Sequence, residues 1–377
     1  MKKTTILNNN LDNKISKNAI VEPIYMTTTF KQDSIEEWGE YLYTGGGNPN
    51  FDSLEKKLNL IEEGAVGTIV FPTGMSAITA TLTSVLQNGD DVICNNNTYI
   101  GTNQLFSEIY SKFGIKTNFI DLLDMKLLEN SISKNTKMIW IETPSNPLLR
   151  LYDIQKISKI AKKKNIIVCV DSSFLSSINI SPLELGADIV VQTATKYIGG
   201  TADVMGGFTS SNNKFYCDSI RKTRNILGLF PSPFNCWLLE RSLKTFKIRM
   251  KQIEENANYI AEKLENSEIT DSVIYPKLES YPQYEIAQKQ IKGGGGVISV
   301  RLNLDYEQIK KGFSKFQLWN PAVSFGGTES LIDFPNYIGG KNLPKKTKDM
   351  IGYNLVRLSV GIEDKDDLLE DFINAFQ

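Results

Sequence analysis

Short apolar runs alternate with longer, more polar stretches in the middle of the chain. The pattern predicts strands at 67–73, 90–96, 116–122, 137–144, 165–173 and 187–196. Helices are predicted in the gaps, for example at 74–87, 103–113 and 153–163. Near-continuous apolar strands separated by helices are typical of a parallel sheet covered on both faces.

The two ends of the chain follow different patterns. Residues 1–45 lack periodicity and predict an extended arm, and residues 46–235 form the predicted large domain. A long helical stretch is predicted at 233–266. It begins just before residues 236–377, which form the predicted smaller C-terminal α+β domain. Within it, the run of four glycines at 293–296 predicts flexible or tightly turned backbone. It lacks a P-loop pattern, so we assign it no cofactor role.

Composition restricts the possible partners and the location. The 377 residues suit two domains, and 41% of them are hydrophobic. A net charge of −1 leaves no basic surplus for a phosphate backbone, so we expect no nucleic-acid partner. The polar N-terminus lacks the apolar core of a signal peptide, and no run approaches the ~18 apolar residues of a membrane span. These features predict a cytoplasmic protein without a membrane partner.

The chain contains no histidine. This excludes Ser-His-Asp triads, Cys-His pairs and histidine-based metal sites. The four cysteines, at 94, 169, 217 and 236, have no metal-binding spacing, so we expect reduced, mostly buried thiols and no metal. Any acid–base catalysis therefore falls to lysine, tyrosine or carboxylate side chains.

Ligands of such sheets bind beyond the carboxyl ends of the strands, so the polar residues there are candidates for a site. Lys196 follows the last predicted strand, and the hydroxyls of Thr193 and Thr195 share one side with each other. Taken alone, Lys196 also fits an ordinary charge at a strand end that reaches for water.

Two further segments suggest a binding site. Gly74 and Met75 lie at a strand-to-helix junction, where free backbone N–H groups and the helix dipole favour an anion. An ordinary turn explains them equally well. Asp171 ends another strand, where a helix cap is the alternative. Together these segments supply an amine for an imine, a phosphate cradle, hydroxyls and a carboxylate, the set that pyridoxal 5'-phosphate requires.

Longer motifs carry a resemblance to a known family. They are "VEPIYMTTTF" (21–30), "WIETPSNPLLRLYDI" (140–154), "VDSSF" (170–174), "ATKYIGG" (194–200), "SPFNCWLLERSLKTFKIRM" (232–250) and "LVRLSVGIEDKDDLLEDF" (355–372). In this order they resemble the Cys/Met-metabolism (trans-sulfuration) family of pyridoxal-phosphate enzymes, and among its members cystathionine γ-lyase most. The resemblance implies an α/β, PLP-dependent transferase-like fold (fold type I), with a mostly parallel sheet in the large domain.

The resemblance also implies how the cofactor is held. Lys196 would form the internal aldimine, Asp171 would pair with the pyridinium nitrogen, and Ser173 would lie near the edge of the ring. Tyr99 would stack on the ring and assist proton transfer. The phosphate would be bound by backbone and hydroxyl donors and by the arm of a neighbouring subunit, through Gly74, Met75, Thr193, Thr195 and Tyr43.

The implied reaction is elimination or replacement at the γ (or β) carbon of a sulfur-containing or other γ-substituted amino acid, through a quinonoid at Cα. The small amino-acid substrate would be held by its α-carboxylate through Asn146, Ser324 and Arg357, because a planar guanidinium suits a carboxylate. The freed Lys196 amine would move the Cα proton. The resemblance further implies a homodimer or homotetramer with shared active sites.

Several positions depart from the family pattern. Gly45 stands where the phosphate-binding arginine belongs in "YTGGGNP", which predicts weaker cofactor binding by roughly 1.5–3 kcal/mol. Val323 replaces the glutamate of cystathionine-handling members and resembles methionine γ-lyase, whereas Gly101 stands where methionine γ-lyases carry cysteine. Gln192 replaces a frequent histidine, and residues 334–340 replace a threonine–histidine loop.

These departures leave two kinds of alternative open. The chain is a methionine γ-lyase-like or specialised γ-substitution enzyme, or it is a cofactor-poor, non-catalytic homologue. A separate alternative, an NAD-dependent oxidoreductase, rests only on the α/β pattern, and the chain lacks G-x-G-x-x-G after the first strand.

Overall fold

Two sheets organise the molecule, and a computed structural model describes residues 2–8, 19–337 and 345–377. The larger sheet contains β1 (Gly67–Phe71), β2 (Asp91–Asn95), β3 (Lys116–Ile120), β4 (Thr136–Glu142), β5 (Ile167–Asp171), β6 (Ile189–Thr193) and β7 (Gly207–Ser211). The smaller sheet contains β8 (Thr270–Ile274), β9 (Val297–Leu302), β10 (Asn320–Pro321), β11 (Leu331–Asp333) and β12 (Leu355–Ser359).

The helices pack around these sheets. They are α1 (Lys3–Asn8), α2 (Pro49–Ile61), α3 (Gly74–Val85), α4 (Ile100–Gln104), α5 (Met125–Ser131), α6 (Ile154–Lys162), α7 (Ser176–Asn179), α8 (Lys214–Ile226), α9 (Pro233–Glu265), α10 (Tyr284–Gln290), α11 (Tyr306–Phe313), α12 (Lys345–Ile351) and α13 (Lys365–Phe376). A π-helical turn (Leu105–Ile109) and a 3-10 turn (Tyr110–Phe113) continue α4, where the sequence predicted one helix at 103–113.

The larger sheet has the strand order β1-β7-β6-β5-β4-β2-β3. All six predicted strands are present in it, each within about two residues at its start and three at its end. The prediction of an α/β fold with a mostly parallel sheet is confirmed. Of these seven strands, β7, which lies between β1 and β6, runs opposite to the other six.

Strand β7 was missed because its sequence, "GFTSS", carries little apolar signal. All five of its residues are nevertheless buried. Their hydroxyls find partners inside the sheet and its helices: Ser210 with Thr68 at 2.7 Å and Thr209 with Thr81 at 3.0 Å. A buried polar strand is stable when its polar groups are paired, and hydrophobic patterning alone does not reveal it.

The smaller sheet has the order β10-β11-β12-β9-β8 and packs against the long helix α9 and helix α13. Ser232 caps α9, and Pro233 occupies its first turn, where a missing N–H costs nothing. The two sheets fall on opposite sides of the predicted boundary at 235/236. The exact division into 1–45, 46–235 and 236–377 stays a prediction.

The N-terminal arm differs in one respect from the prediction. Helix α1 was not foreseen, because six residues are too few to establish a period. Residues 19–48 contain no helix and no strand beyond one bridge, between Thr29 and Tyr43. Among the described residues, no helix has both the length and the apolar composition of a membrane span. All four cysteines are buried, as expected.

The glycine run at 293–296 is packed tightly between the two domains. A Cβ on Gly294 would lie 2.5 Å from the hydroxyl oxygen of Tyr275. Tyr275 is fully buried and donates a hydrogen bond to the carbonyl of Gly295 at 2.9 Å. The run is therefore a close contact between backbone and side chain, not a flexible linker.

We expect Gly294→Ala to lower the free energy of unfolding by about 1–3 kcal/mol, because the added methyl group overpacks a closed core. Gly39→Ala is the control, since its Cβ would have no atom nearer than 3.7 Å. Urea unfolding of both variants measures the difference. Equal stability of the two would contradict the tight packing.

Candidate active site

Lys196 lies in the turn after β6 and points toward the smaller domain. Its Nζ donates a hydrogen bond to Oγ of Ser324 at 2.6 Å and lies 5.0 Å from the ring centre of Phe325. Burial lowers the pKa of the Lys196 ammonium to about 8, and the charge of Arg357 adds to this shift. The side chain is thus not an ordinary strand-end charge but an amine poised to lose its proton.

Asp171 ends β5 and is held by Ser173. Both the N–H and the hydroxyl of Ser173 donate to Oδ1 of Asp171, at 3.0 and 2.7 Å, and the same hydroxyl accepts from the N–H of Thr193 at 2.8 Å. Oδ2 makes no hydrogen bond within the described part of the chain. Burial raises the pKa of Asp171, and the bonds from Ser173 oppose the rise. The helix-cap interpretation is wrong, because α7 begins only at Ser176.

The start of α3 faces the ends of β6 and β7. A Cβ on Gly74 would lie 2.7 Å from Cβ of Thr193, so the helix approaches the strand as closely as backbone allows. The N–H groups of Gly74 and Met75 have no acceptor among the described residues. The hydroxyls of Thr193 and Thr195 donate to the carbonyl of Gly206, at 3.3 and 3.2 Å. Free N–H groups and rotatable hydroxyls are suited to an anion.

Arg357, on β12, connects the two domains. One terminal nitrogen donates to Oδ1 of Asn146 at 2.9 Å; the other donates to the carbonyl of Ser324 at 3.0 Å and pairs with Asp333 at 3.2 Å. Its buried Nε has no hydrogen-bond partner in residues 2–8, 19–337 and 345–377. The guanidinium is therefore fixed in place and retains one donor for a ligand.

Tyr99 precedes α4 and is 46% exposed. Its N–H donates to Oε2 of Glu142 at 2.6 Å. A Cβ on Gly101 would lie 2.6 Å from Cε1 of Tyr99 and 3.1 Å from the sulfur of Met75. The position of the Tyr99 ring thus depends on the glycine at 101, a position at which methionine γ-lyases are expected to carry cysteine.

The structure brings together most of the predicted site residues. Among the described residues, no hydrogen bond or ion pair links Tyr43 to them; its ring lies against the buried Gly45 and near Phe230. Val323 is 53% exposed beside Ser324. The side chain of Gln192 points away from these residues, and its amide donates a hydrogen bond to Oε2 of Glu62 at 2.7 Å. Of the replaced loop at 334–340, residues 338–340 lie outside the described residues.

Sequence reasoning missed three residues at the site: Glu142, Phe325 and Asp333. A signal existed for Glu142, which is a charged residue ending an apolar strand in "WIETPSNP". It lies opposite Asp171 in the strand register, and burial together with the Asp171 charge raises its pKa. Phe325 and Asp333 had no such signal, because only folding brings the second domain against Lys196. No cluster of metal-ligating side chains occurs in the described residues.

The chain is similar to known proteins along nearly its whole length. The family model described as Cys/Met metabolism PLP-dependent enzyme matches residues 3–377. Cystathionine gamma-lyase of Rattus norvegicus is 40% identical over 365 residues, 96% of this chain and 91% of that protein. Cystathionine beta-lyase of Lactococcus lactis subsp. cremoris is 37% identical over 377 residues, 100% and 98% of the two chains. The crystal structure of cystathionine gamma synthase from Xanthomonas oryzae pv. oryzae, in complex with aminoacrylate and cysteine, has a TM-score of 0.96 at 33% identity, covering 100% and 98%.

We expect the burial of Lys196 to make the cofactor-free protein more stable as the pH rises from about 8. The pKa of the amine is about 8 in the folded state and about 10.4 in an unfolded chain. Below pH ~8 the Lys196 amine is protonated in both the folded and the unfolded state, and the folded state bears the full free-energy cost of burying that charge. Between the two values only the unfolded chain holds the proton, so the free energy of unfolding rises by about 3 kcal/mol in all.

Urea unfolding of the wild type and Lys196→Met at pH ~7.5 and ~10 measures this effect. All other groups titrate in both proteins, so the difference between them isolates Lys196. A difference that does not change with pH would contradict the lowered pKa.

Proposed function

This chain belongs to the family of Cys/Met metabolism PLP-dependent enzymes, and we propose that it eliminates or replaces the γ (or β) substituent of a sulfur-containing amino acid. Its cofactor is pyridoxal 5'-phosphate. The observation that carries the proposal is the bond from Lys196 to Ser324. It holds an amine with a pKa of about 8 next to the carboxylate-binding Arg357.

The side chains at the strand ends fit the cofactor. Oδ2 of Asp171 is free within the described chain and suits a protonated ring nitrogen, which would stabilise the carboxylate form of this buried group. Gly74 and Met75 offer N–H groups for a phosphate. Thr193 and Thr195 join them when their hydroxyls turn away from Gly206. Ser173 keeps Asp171 oriented, and Tyr99 provides an aromatic face.

Pyridoxal phosphate held at this site would withdraw electrons from the substrate's Cα and make its proton acidic, once the substrate's amine has replaced Lys196 on the cofactor. The Lys196 amine freed by that exchange would be the base for the proton. With a pKa of about 8, roughly a tenth of it is neutral at pH 7, whereas an ordinary lysine would be almost fully protonated. The phenol of Tyr99 supplies a second proton carrier near the leaving group, which compensates for the absence of histidine.

Arg357 orients the substrate through its α-carboxylate. Its free Nε is the donor, while Asn146 and Asp333 hold the guanidinium in place. A fixed guanidinium binds a carboxylate at a smaller entropic cost than a mobile one. Ser324 accepts from both Lys196 and Arg357, so the base and the substrate clamp keep a constant separation.

The nature of the γ substituent is a second question. Val323 presents an exposed apolar side chain next to Ser324, which favours an uncharged substituent such as the methylthio group of methionine. The relatives named cystathionine gamma-lyase and cystathionine gamma synthase favour cystathionine. The methionine γ-lyase-like alternative therefore stays open, and so does a specialised γ-replacement enzyme.

The experiment that tests the function combines a spectrum with a substrate panel. We expect the purified protein with pyridoxal phosphate to show a visible imine band that Lys196→Ala abolishes, because Lys196 supplies the amine at this site among the residues that the structure describes. Cystathionine, methionine, cysteine and O-acylated homoserine are then supplied, and products are identified by mass. A band that survives Lys196→Ala, or a panel without any product, would contradict the proposal and leave the non-catalytic homologue.

We also propose that the active unit is a homodimer or homotetramer with Tyr43 at a neighbour's phosphate. The arm exposes large apolar side chains that a monomer leaves in water, such as Ile35 at 93% and Trp38 at 68% exposure. The cytoplasmic location is part of this proposal. Four buried, unpaired thiols are usual in a reducing compartment.

Gly45 limits how firmly the phosphate is held. A Cβ there would lie 2.9 Å from the Tyr43 ring and 3.2 Å from Phe230, so an arginine would displace the tyrosine. The arm thus supplies a hydroxyl in place of a charge. Weaker cofactor binding by about ten- to a hundredfold is expected relative to a family member with arginine.

We expect Tyr43→Phe to raise the dissociation constant of pyridoxal phosphate about tenfold or more, because a hydrogen bond to a charged group is lost.

A second experiment tests whether two subunits share each site. The variants Tyr43→Ala and Lys196→Ala are purified separately and then mixed so that their subunits exchange. Each chain alone has at least one defect in every site, but a mixed dimer has one intact site if the arm crosses over. Failure of the mixture to regain activity would contradict the shared site.

A further inference from the structure

The buried side chain of Glu142 forms hydrogen bonds with two predicted site residues, Tyr99 and Asn146. Oε2 of Glu142 accepts hydrogen bonds from the N–H of Tyr99 at 2.6 Å and from the hydroxyl of Thr98 at 2.8 Å. Its Oε1 accepts from the N–H of Asn146 at 3.3 Å. Glu142, at the end of β4, therefore anchors both the Tyr99 loop and Asn146, which accepts a hydrogen bond from Arg357.

Amide side chains complete this connection. The backbone N–H of Glu142 donates to Oδ1 of Asn95 at 2.8 Å, and the amide of Asn95 donates to the carbonyl of Asn97 at 2.7 Å. Asn97 in turn donates to the carbonyl of Asn146 at 3.2 Å and accepts from the Ser145 hydroxyl at 2.5 Å. We call residues 95–99 and 142–146, joined in this way, the brace.

The chemistry of the brace explains why a carboxylate stands at its centre. The three groups that point at Glu142 are all donors, and the two oxygens of its carboxyl group accept all three bonds, whereas an amide would turn one of these acceptors into a donor. The position is costly, because Glu142 is 4% exposed and lies opposite Asp171 in the strand register. A purely structural contact at this place would not need a second buried carboxyl group beside Asp171.

We propose that Glu142 is a positioning residue, which fixes Tyr99 and Asn146 for the reaction without touching the substrate. The inference rests on the proposed function, because it assigns roles through Tyr99 and through the Asn146–Arg357 pair. Loss of the anchor should act along two routes. A displaced Tyr99 lowers kcat through proton transfer, and a displaced Asn146 raises KM through the carboxylate clamp.

Glu142→Gln tests the inference, since it keeps the volume but turns one acceptor into a donor facing donors. We expect kcat to fall about 10- to 100-fold and KM to rise severalfold. Hydrogen exchange of the backbone at 96–104 should quicken in both the cofactor-free and the loaded protein. The imine band should remain.

Glu254→Gln is the matched control. Glu254 also accepts from a side-chain amide, that of Asn179, and from a backbone N–H, that of Gly295 at 3.3 Å. It hydrogen-bonds none of the site residues. We expect near wild-type kinetics and unchanged exchange at 96–104.

A double-mutant cycle with Tyr99→Phe separates positioning from general destabilisation. If Glu142 acts through Tyr99, the kcat losses of Glu142→Gln and Tyr99→Phe should not multiply in the double variant. Multiplicative losses, or a Glu142→Gln variant that behaves like the control, would overturn the inference.

If Glu142→Gln does not fold, Thr98→Val removes one donor to Oε2 with the carboxylate intact. It should lower kcat about three- to tenfold, again without multiplying with Tyr99→Phe, and multiplication would overturn the inference. A wild type without an imine band or product refutes the proposed function instead, so the two failures are distinguishable.

Discussion

The contact between Lys196 and Ser324 is the interaction on which the site depends. Lys196 follows β6, a parallel strand of the larger sheet, and Ser324 belongs to the smaller domain. The hydrogen bond between them therefore forms only when the two domains pack together. Docking also removes the amine from water and places Arg357 near it, which together lower its pKa to about 8. One packing event thus forms both the proposed base and the proposed substrate clamp.

The ends of the strands hold buried carboxyl groups, which cost free energy unless they are hydrogen-bonded. Asp171 and Glu142 end neighbouring strands and repel each other, so both carboxylates depend on donors from nearby turns. Those donors belong to residues that we propose to hold the cofactor, such as Ser173 and Tyr99. The need to stabilise buried charge therefore also orients the site.

Glycine and small residues allow this density of contacts. The helix start at Gly74 meets Thr193, Gly101 accommodates the ring of Tyr99, and Gly294 passes under Tyr275. At each place a Cβ would have to displace a packed side chain. The missing arginine at Gly45 is part of the same pattern, since the Tyr43 ring occupies the space that its side chain would need.

The sequence by itself determined six of the seven strands of the larger sheet and singled out Lys196, the start of α3 and Asp171 as candidate site residues, because strand period and strand-end chemistry are local properties. The absence of histidine likewise limited the proton carriers to lysine, tyrosine and carboxylates. Only the tertiary structure revealed β7, whose polar side chains are paired across the sheet, and the contacts of Glu142, Phe325 and Asp333. Those depend on which distant segments meet and on how much water they exclude, and no local pattern encodes either.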